Sequence, residues 1–266
     1  MINYLGDITS NGLGQRNMYE IRQEQMKQFI HAREVVTMKE LQQRFSDVSL
    51  MTIHRDLDAL AAAGFAVKVR GGARSARHDG EQTFEVRAGE NQPGKTRVAK
   101  KAIELMKGQS SIFLDSGTSC LALARIVPTT AAMVVTTGPN VAMALAAISG
   151  PTVTMCPGSL NKENLTVSGH STLQFLETIN IDFAFIGVSG YGRDAGFTCG
   201  KENEMMVKRL VISRARKTAV LCDQTKFRRL MPYTFATLDD IDYVITDGTP
   251  PEEFTEAAKS AGVTVL

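Results

Sequence analysis

Beyond residue 94 the chain alternates short apolar runs with helical stretches, and this pattern restricts the fold more than any other feature. The runs are four or five residues long and too uniformly apolar to expose one face to water. Strands of that kind form parallel sheets covered by helices on both faces. The predicted strands span residues 111–114, 133–136, 153–156, 183–187, 218–221, 243–246 and 263–266. The predicted helices span residues 95–106, 141–148, 202–215 and 251–260. We therefore predict an α/β parallel-sheet domain over residues 95–266, within a chain that is α+β overall.

The first third of the chain has a different pattern, typical of three short helices followed by a small hairpin. Residues 1–17 are rich in Gly and Asn, lack apolar periodicity, and are expected to form a loose arm. Thr37 and Ser49 are suited to begin the second and third helices as N-caps. The predicted helices span residues 19–33, 38–45 and 50–63. Together with the hairpin they predict a winged helix-turn-helix domain over residues 18–78.

The third predicted helix separates apolar from polar side chains. Ile53, Leu57 and Leu60 form its inner face, at spacings of four and three residues. The residues left nearer the outer side are Met51, Thr52, His54, Arg55, Asp58 and Ala59. A helix that exposes polar side chains in its first turns is suited to the major groove of DNA. Taken alone, the pattern also occurs in ordinary three-helix bundles.

The segment after Gly64 alternates apolar and basic residues and predicts a small hairpin. Residues 65–77 contain four cations and no acid. Such a wing would contact phosphates, which adds salt-dependent affinity but little sequence information. A solvated surface hairpin is the alternative for this feature alone, but the order of helices and hairpin favours DNA. The DNA contacts that we predict are Thr37, Ser49, Met51, Thr52, His54, Arg55, Lys68, Arg70 and Arg74.

A length of 266 residues is comfortable for two domains joined by a linker. Residues 79–94 are polar and contain Gly and Pro, so we predict that they form this linker. The net charge of +2 decides nothing about nucleic acid. The four cysteines have neither CxxC spacing nor a neighbouring His, so four buried thiols are expected, with no metal and no cofactor. With no apolar run near the roughly 20 residues of a membrane helix and no signal peptide, we expect a cytoplasmic protein without a membrane partner.

Small and polar residues follow four of the predicted strands, where open α/β sheets bind ligands. The first such segment, residues 115–119, precedes a helix that begins near Cys120. Converging backbone N–H groups, hydroxyls and a helix N-terminus favour a phosphate, although such clusters also simply cap helices. The other segments span residues 136–140, 187–192 and 223–226. The small-molecule contacts that we predict are Asp115, Ser116, Gly117, Thr118, Ser119, Thr137, Gly138, Asn140, Gly190, Asp223 and Lys226.

Residues 52–73 read TIHRDLDALAAAGFAVKVRGGA and resemble the signature of the DeoR family of bacterial repressors. That signature is usually Thr-Ile-Arg-Arg-Asp-Leu, followed later by Gly-Gly-Ala. His54 replaces the first Arg, which removes a fork-shaped donor and most of a charge at neutral pH. Asp47 lengthens the turn before the third helix relative to the shortest family versions. The resemblance implies that Thr52 and Arg55 contact DNA.

The C-terminal part resembles the effector half of the same family, which is similar in fold to ribose-5-phosphate isomerases. By that resemblance, residues 115–119 match a DxGTT-type loop, with Ser119 in place of the second Thr. Asp223 and Lys226 match a late Asp-xx-Lys pair. Residues 137–140 replace the Asn that usually follows a strand-ending Thr. The resemblance implies a pocket for a phosphorylated sugar.

Three functions are compatible with these patterns. The first is a sequence-specific transcriptional regulator, expected to be a repressor of a sugar-metabolism operon, that is controlled by a phosphorylated sugar. It would read paired half-sites as a homodimer or homotetramer and be nucleoid-associated when bound to DNA. The second is a sugar-phosphate isomerase-like enzyme, which needs a carboxylate as general base, with Asp115 and Glu202 as candidates. We expect no enzyme, because residues 188–190 carry no carboxylate where the isomerases have an acidic loop. The third is an architectural DNA-binding protein.

Overall fold

Two units, residues 1–79 and 80–266, make up the structure, a computed structural model. It describes residues 10–33, 35–62, 65–75, 81–128, 133–227 and 229–266. The helices of the first unit are α1 (Ser10–Arg33), α2 (Met38–Arg44) and α3 (Leu50–Ala62). Its strands are β1 (Val35–Thr37), β2 (Ala66–Val69) and β3 (Gly72–Ser75). They form an antiparallel sheet in the order β1-β3-β2, and β2 and β3 are the hairpin that the sequence predicts.

Side chains of α1 and α3 form much of the core of the first unit. Met26, Ile30, Ile53 and Leu57 are fully buried, and the last two belong to the inner face that the apolar spacing of the third helix predicts. Ile21 of α1 is 46% exposed.

The predicted loose arm, residues 1–17, is wrong for residues 10–17, which are the first turns of α1. Residues 1–9 lie outside the described residues. Extending an existing helix adds one hydrogen bond per residue without a new nucleation step. That gain offsets the low helix propensity of the Gly and Asn residues in this segment.

The Gly-Gly-Ala triplet of the wing is explained by close packing between β3 and β1. Gly71, in the hairpin turn, has a φ of +86° and accepts a hydrogen bond from the backbone N–H of Met38 at 2.8 Å. A Cβ atom at Gly72 would lie 2.0 Å from the carbonyl oxygen of Val36. Ala73 is fully buried. The triplet therefore fixes the wing against the beginning of α2.

The second unit is built on a seven-stranded parallel sheet. The strands of the whole second unit, including those outside this sheet, are β4 (Ser111–Leu114), β5 (Met133–Thr136), β6 (Thr152–Met155), β7 (Ser159–Asn161), β8 (Thr166–Ser168), β9 (Ile181–Gly187), β10 (Gly190–Gly192), β11 (Gly196–Cys199), β12 (Ala215–Leu221), β13 (Tyr233–Ala236), β14 (Tyr243–Ile245) and β15 (Thr264–Val265). The parallel sheet has the order β15-β14-β12-β9-β4-β5-β6. All seven predicted strands belong to it, with ends shifted by up to three residues, so the prediction of a parallel sheet is confirmed.

Helices cover both faces of this sheet and create two cores. They are α4 (Phe84–Gly89), α5 (Gln92–Ala102), α6 (Thr118–Ala124), α7 (Pro139–Ala146), α8 (His170–Glu177), α9 (Glu202–Arg214) and α10 (Glu252–Ser260). Successive residues of β4 point to opposite faces: Phe113 packs in the core that includes Val211 of α9. Ile112 and Leu114 pack in the core that includes Val98 of α5.

The predicted linker over residues 79–94 is wrong from residue 81 onward, where the chain belongs to the second unit. It contains α4 and the beginning of α5. Phe84 is buried, and its backbone N–H donates to the carbonyl of Glu163 at 2.7 Å. Arg87 and Lys95 are buried too. Charged residues are tolerated inside a protein when they are paired, so a polar composition does not by itself identify a linker.

Two small sheets accompany the parallel one. Strands β7 and β8 form an antiparallel hairpin, and β10, β11 and β13 form an antiparallel sheet. The sequence pattern does not predict them, because these strands have only three or four residues each and show no regular alternation.

The four cysteines are buried thiols, as the sequence predicts. Within the described residues, no three His, Cys, Asp or Glu side chains are grouped so that they could hold a metal ion. No helix in the same residues is long and apolar enough to cross a membrane.

Candidate functional site

The first turns of α3 present several side chains to solvent. Met51 is 78% exposed, and Arg55, one turn further along, is exposed as well. Thr52 and His54 are half-buried. Side chains in the first turns of such a helix can reach base edges in a major groove. The structure therefore places all four predicted residues of α3 where DNA contact is possible.

Thr37 and Ser49 form caps at the beginning of α2 and α3. The carboxylate of Glu40 accepts hydrogen bonds from the backbone N–H and the hydroxyl of Thr37, both at 2.8 Å. These two bonds, with a smaller effect of Arg33, lower the pKa of Glu40. Ser49 Oγ accepts from the backbone N–H of Thr52 at 3.2 Å. Both hydroxyls thus fix helix ends, and their contact with DNA stays a prediction.

An ion pair between a buried carboxylate and a half-buried arginine holds α3 against α1. Asp56 is fully buried, and its Oδ2 accepts a hydrogen bond from Nε of Arg22 at 2.6 Å. That bond is the main cause of the raised pKa of Arg22. The acid of the Thr-Ile-His-Arg-Asp-Leu segment therefore positions the helix. Its partner lies 34 residues earlier in the chain, which explains why the local pattern does not reveal it.

The three predicted phosphate contacts of the wing have different surroundings. Lys68 Nζ lies 2.5 Å from Oδ1 of Asp58, so this cation is paired with α3. Arg70 is exposed beside the turn of the hairpin. Arg74 is half-buried on β3, opposite Val35 of β1. Of the three, Arg70 is the best placed for a phosphate.

A polar pocket lies at the carboxyl ends of β4 and β9. Five of its lining residues are among the predicted contacts: Asp115, Gly117, Thr118, Ser119 and Lys226. The others are Arg87 from α4 and Gly187, Val188 and Ser189 from the end of β9 and the loop that follows it. The lining thus combines two cations with hydroxyls and glycine backbone. Such a combination suits a phosphate group.

Asp115 is tied to three surrounding groups. Its Oδ1 accepts the backbone N–H of Ser116 at 2.8 Å, and its Oδ2 accepts that of Gly187 at 3.0 Å. The ammonium of Lys208 also donates to Oδ2, and to the carbonyl of Gly187 at 2.8 Å. Burial favours the neutral amine, but Asp115 and Glu204 outweigh it and raise the pKa of Lys208. Asp115 therefore joins β4, β9 and α9 at the pocket.

Arg87 is held in position by a carboxylate and a carbonyl. Its Nη1 lies 3.0 Å from Oε1 of Glu81, and its Nε donates to the carbonyl of Gln82 at 3.0 Å. Glu81 also accepts from the hydroxyl of Ser189 and from the backbone N–H of Gly200 at 3.2 Å. Burial opposes ionisation, but Arg87 and these hydrogen bonds lower the pKa of Glu81. One carboxylate therefore orients two pocket side chains, Arg87 and Ser189.

The loop after β12 places Lys226 beside Asp223. Oδ1 of Asp223 accepts from the backbone N–H of Thr225 at 2.9 Å and from Nδ2 of Asn91 at 3.3 Å. Burial raises the pKa of a carboxyl, but Lys226 and these hydrogen bonds lower that of Asp223. The loop is therefore organised around an ionised Asp223, with Lys226 in the pocket lining.

Lys95 supports the helix that carries Arg87. Its ammonium donates to the carbonyls of Arg87 and Glu90, the latter at 2.6 Å, and so closes the end of α4. Burial, and then repulsion by Lys226, lower the pKa of Lys95 to about 8. Positive charge next to the pocket therefore decreases as the pH rises through 8.

Six predicted small-molecule contacts lie outside the pocket lining: Ser116, Thr137, Gly138, Asn140, Gly190 and Asp223. The hydroxyls of Ser116 and Thr166 form a hydrogen bond with each other. A Cβ atom at Gly138 would lie 2.8 Å from Cα of Ser116. Within the described residues, Oγ1 of Thr137 and both polar side-chain atoms of Asn140 are buried without a hydrogen-bond partner. Gly190 lies in β10, where a Cβ would come 2.1 Å from the carbonyl oxygen of Arg229.

A buried carboxylate, Glu204, lies near the same charges. It accepts from Nδ2 of Asn164 and from Oγ1 of Thr166, the latter at 3.4 Å. Burial, and then the carboxylate of Glu81, raise the pKa of Glu204 to about 7. Glu202, which the sequence offers as a candidate base, is exposed in the first turn of α9.

Two family models match this chain. The DeoR-like helix-turn-helix domain matches residues 22–79, and the DeoR C terminal sensor domain matches residues 90–248. The chain belongs to the DeoR family of transcriptional regulators. The match to the DeoR-like helix-turn-helix domain includes α2, α3 and the wing. The match to the sensor domain includes the loops after β4, β9 and β12.

Curated relatives add to this assignment, and one solved structure is similar over about half of the chain. The HTH-type transcriptional regulator GlpR of Haloferax volcanii is 33% identical over 82% of this chain and 86% of its own length. The glycerol-3-phosphate regulon repressor of Escherichia coli strain K12 is 29% identical over 81% of this chain and 86% of its own. Ribose 5-phosphate isomerase A of Methanocaldococcus jannaschii is similar in structure over 51% of this chain and 54% of that one, with 18% identity and a TM-score of 0.37.

Several charged residues around the pocket of this DeoR-family chain were not among the predicted contacts: Glu81, Arg87, Lys95, Glu204 and Lys208. Glu81 and Arg87 also precede the match to the sensor domain. Local patterns assign a charged residue to solvent, because burial of a charge depends on a partner that is distant in sequence. Lys208 and Asp115, for example, are 93 residues apart. The one sequence signal for Lys208 is its position as a cation on the apolar side of the predicted helix 202–215.

Proposed function

We propose that this chain is a repressor of a sugar-metabolism operon and that its second unit binds a phosphorylated sugar. The observation that carries the proposal is the pocket in which Arg87 and Lys226 meet the loop 117–119. The Escherichia coli relative is named for the glycerol-3-phosphate regulon. That name supports a small phosphorylated polyol or sugar as the class of ligand.

The chemistry of the pocket favours a phosphate over a neutral sugar. A guanidinium supplies a planar set of donors that matches phosphate oxygens, and an ammonium adds a compact charge. Arg87 is oriented in advance by Glu81, and Lys226 by the loop around Asp223. Little side-chain ordering then remains when the ligand binds, which improves its affinity.

The ligand controls transcription only if it binds two conformations of the chain with different affinity. Two DNA-binding units are needed to read paired half-sites, so the proposal includes a homodimer or homotetramer. This assembly would be cytoplasmic, and nucleoid-associated when it is bound to its operator. The predicted contacts of Thr52, His54, Arg55 and Arg70 with DNA belong to the same proposal.

A thermal-shift series tests the ligand class. We expect triose, pentose or hexose phosphates to raise the melting temperature of the full chain more than inorganic phosphate or the unphosphorylated sugars do. Lys226→Gln should abolish this shift, whereas Lys107→Gln, at an exposed lysine, should retain it. A chain that responds to none of these phosphates would contradict the ligand class. Recovery of bound genomic DNA fragments with and without the active compound then identifies the operator and the direction of control.

We also propose that the pocket binds its ligand without catalysing a reaction. Among the described residues of the lining, Asp115 is the one carboxylate, and both of its oxygens accept hydrogen bonds from the protein. A general base must lie within hydrogen-bond reach of the proton that it takes, and the three donors around Asp115 hold its carboxylate against the protein. Glu204 has a pKa near neutrality but is bonded to Asn164 and Thr166. Turnover of ribose 5-phosphate that is lost in Glu204→Gln would overturn this part of the proposal.

A further inference from the structure

A stretch of 36 residues in the second unit contains no Asp, Glu, Lys, Arg or His. It spans residues 126–161, in a chain of which 22% is charged, so about eight charged residues would be expected. The stretch includes β5, α7, β6 and β7. Strand β5 lies inside the sheet, so the surface that this stretch leaves without charge is formed by the other elements, α7, β6 and β7.

These uncharged elements lie at one edge of the parallel sheet. Strand β6 is the last strand in the order, and within the described residues it pairs with β5 alone. Helix α7 packs against β5 and β6. Three large apolar side chains of α7, β6 and β7 are exposed: Met143 is 73% exposed, Met155 49% and Leu160 49%. We name α7, β6 and Leu160 together the uncharged edge.

Edge strands that face water are usually protected by charged side chains, because their free N–H and C=O groups can pair with another chain. The uncharged edge has no such protection; only Pro151 and Pro157 flank β6 and limit its length. The exposed Met143 and Met155 also favour contact with another protein, because flexible thioether side chains adapt well to a partner surface. These features are typical of a surface that another protein covers.

We propose that the uncharged edge is the surface through which two copies of this chain associate. In a two-fold symmetric dimer, residues near the axis meet their own copies, so that any charge would face a like charge. Like-charge contacts at an interface are strongly unfavourable. An edge without charge is therefore compatible with self-association, whereas a different protein partner could have been matched by opposite charges. The proposal rests on the self-association that the proposed function includes, but it does not depend on whether the pocket binds a phosphorylated sugar.

A second exposed apolar site provides the matched comparison. Leu230 is 62% exposed and lies beside Gly192, near an apolar pocket formed in part by Tyr191, Phe227 and Phe254. Arg193 and Glu253, both exposed, also line that pocket. If exposure of apolar side chains alone decided the interface, Leu230 would serve as well as Met143.

Sedimentation velocity of the full chain at micromolar concentration tests the proposal. The wild type should be dimeric or larger. The double variants Met143→Glu/Met155→Glu and Met143→Lys/Met155→Lys should each weaken self-association about tenfold or more, because each places like charges across the axis. An equimolar mixture of the two should restore the assembly, because the facing charges are then opposite. Leu230→Glu should leave the assembly unchanged.

The mixing experiment separates loss of an interface from loss of the fold, because an unfolded variant cannot be restored by its partner. Far-UV circular dichroism and thermal unfolding of each double variant provide the direct check. A monomeric wild type, double variants that assemble normally, or a mixture that stays dissociated would each overturn the proposal. Dissociation by Leu230→Glu, with normal assembly of the double variants, would place the interface at the other site.

Discussion

In the first unit, two of the cations that we expect to contact DNA, Arg55 and Arg70, are exposed, whereas around the pocket of the second unit the charges are buried and paired. Lys208 and Asp115 are each more than nine-tenths buried, and Glu81 holds Arg87 from within the protein. An exposed cation contributes little to folding, because water screens its interactions. A buried charge, by contrast, stabilises the fold only while its partner is present.

This difference indicates what each unit requires of its charged residues. DNA is a polyanion that meets the first unit from solvent, so a cation there acts without a pre-formed network. A small ligand has few groups, and a pocket gains affinity for it by holding the complementary charges in place beforehand. We therefore expect substitutions at DNA-facing residues to change binding alone, and substitutions at pocket charges to change stability as well.

The largest effect is expected when the central cation of the buried network is removed. Lys208→Met leaves Asp115 buried without its counter-charge, which should lower the free energy of unfolding of the second unit by about 3–5 kcal/mol. Urea denaturation measures this loss. The matched control is Lys107→Met, whose ammonium is paired with Glu104 on the surface and should contribute less than about 0.5 kcal/mol. Similar losses in both variants would contradict the contrast between buried and exposed charges.

The next effect is a dependence of stability on pH. The folded-state pKa of Glu204 is raised from 4.5 to about 7. A raised pKa means that the stability contributed by the protonated carboxyl is complete below about pH 4.5 and is lost as the pH rises through 7. Glu204→Gln, which stays neutral, should therefore become more stable relative to the wild type over this range, by about 2–3 kcal/mol.

Urea denaturation at several pH values between 4.5 and 8 checks this prediction. Glu202→Gln is the matched control, because Glu202 is exposed in the same helical turn and its substitution should give a difference that stays constant with pH. A constant difference for Glu204→Gln as well would show that the buried carboxyl keeps an ordinary pKa.

The parallel sheet could be predicted from the sequence because its strands are short, largely apolar runs, and in the central strands burial on both faces is the direct cause of that pattern. The loop at residues 115–119 and Lys226 could be predicted for a related reason, since residues that follow buried strands of one sheet lie at one edge. These features depend on local composition, which a single sequence displays.

The segment 81–94 could not be predicted in the same way. Its polar composition is typical of a linker, yet Arg87 is buried because the carboxylate of Glu81 and the carbonyl of Gln82 satisfy it. Asp56 gives the same lesson in the first unit, where its partner Arg22 lies on another helix. Whether a charge is buried is decided by tertiary pairing, and the sequence around one residue contains no record of its distant partner.

A smaller effect is expected at the recognition helix. Arg55→Ala should reduce affinity for the operator by about 1–3 kcal/mol and relax the preference for one base, because a bidentate contact to that base is lost. Unfolding should be unchanged, since Arg55 is exposed. Fluorescence anisotropy with operator and scrambled duplexes measures both the affinity and the base preference. The control is Arg125→Ala, at an exposed arginine of the second unit. Unchanged operator binding by Arg55→Ala would show that α3 does not read the groove with this residue.

The smallest effect is expected at the wing and is visible mainly in the salt dependence. Arg70→Ala should weaken operator and scrambled duplexes equally and reduce the slope of log K against log salt by about one, because one phosphate contact no longer releases a counterion. Arg70→Lys, which keeps the charge, should retain the slope. Lys68→Ala should change it less, because the Lys68 ammonium is already paired with Asp58. If Lys68→Ala and Arg70→Ala reduced the slope equally, the pairing of Lys68 would not persist on DNA, and exposure in the free protein would be a poor guide to which cations contact phosphate.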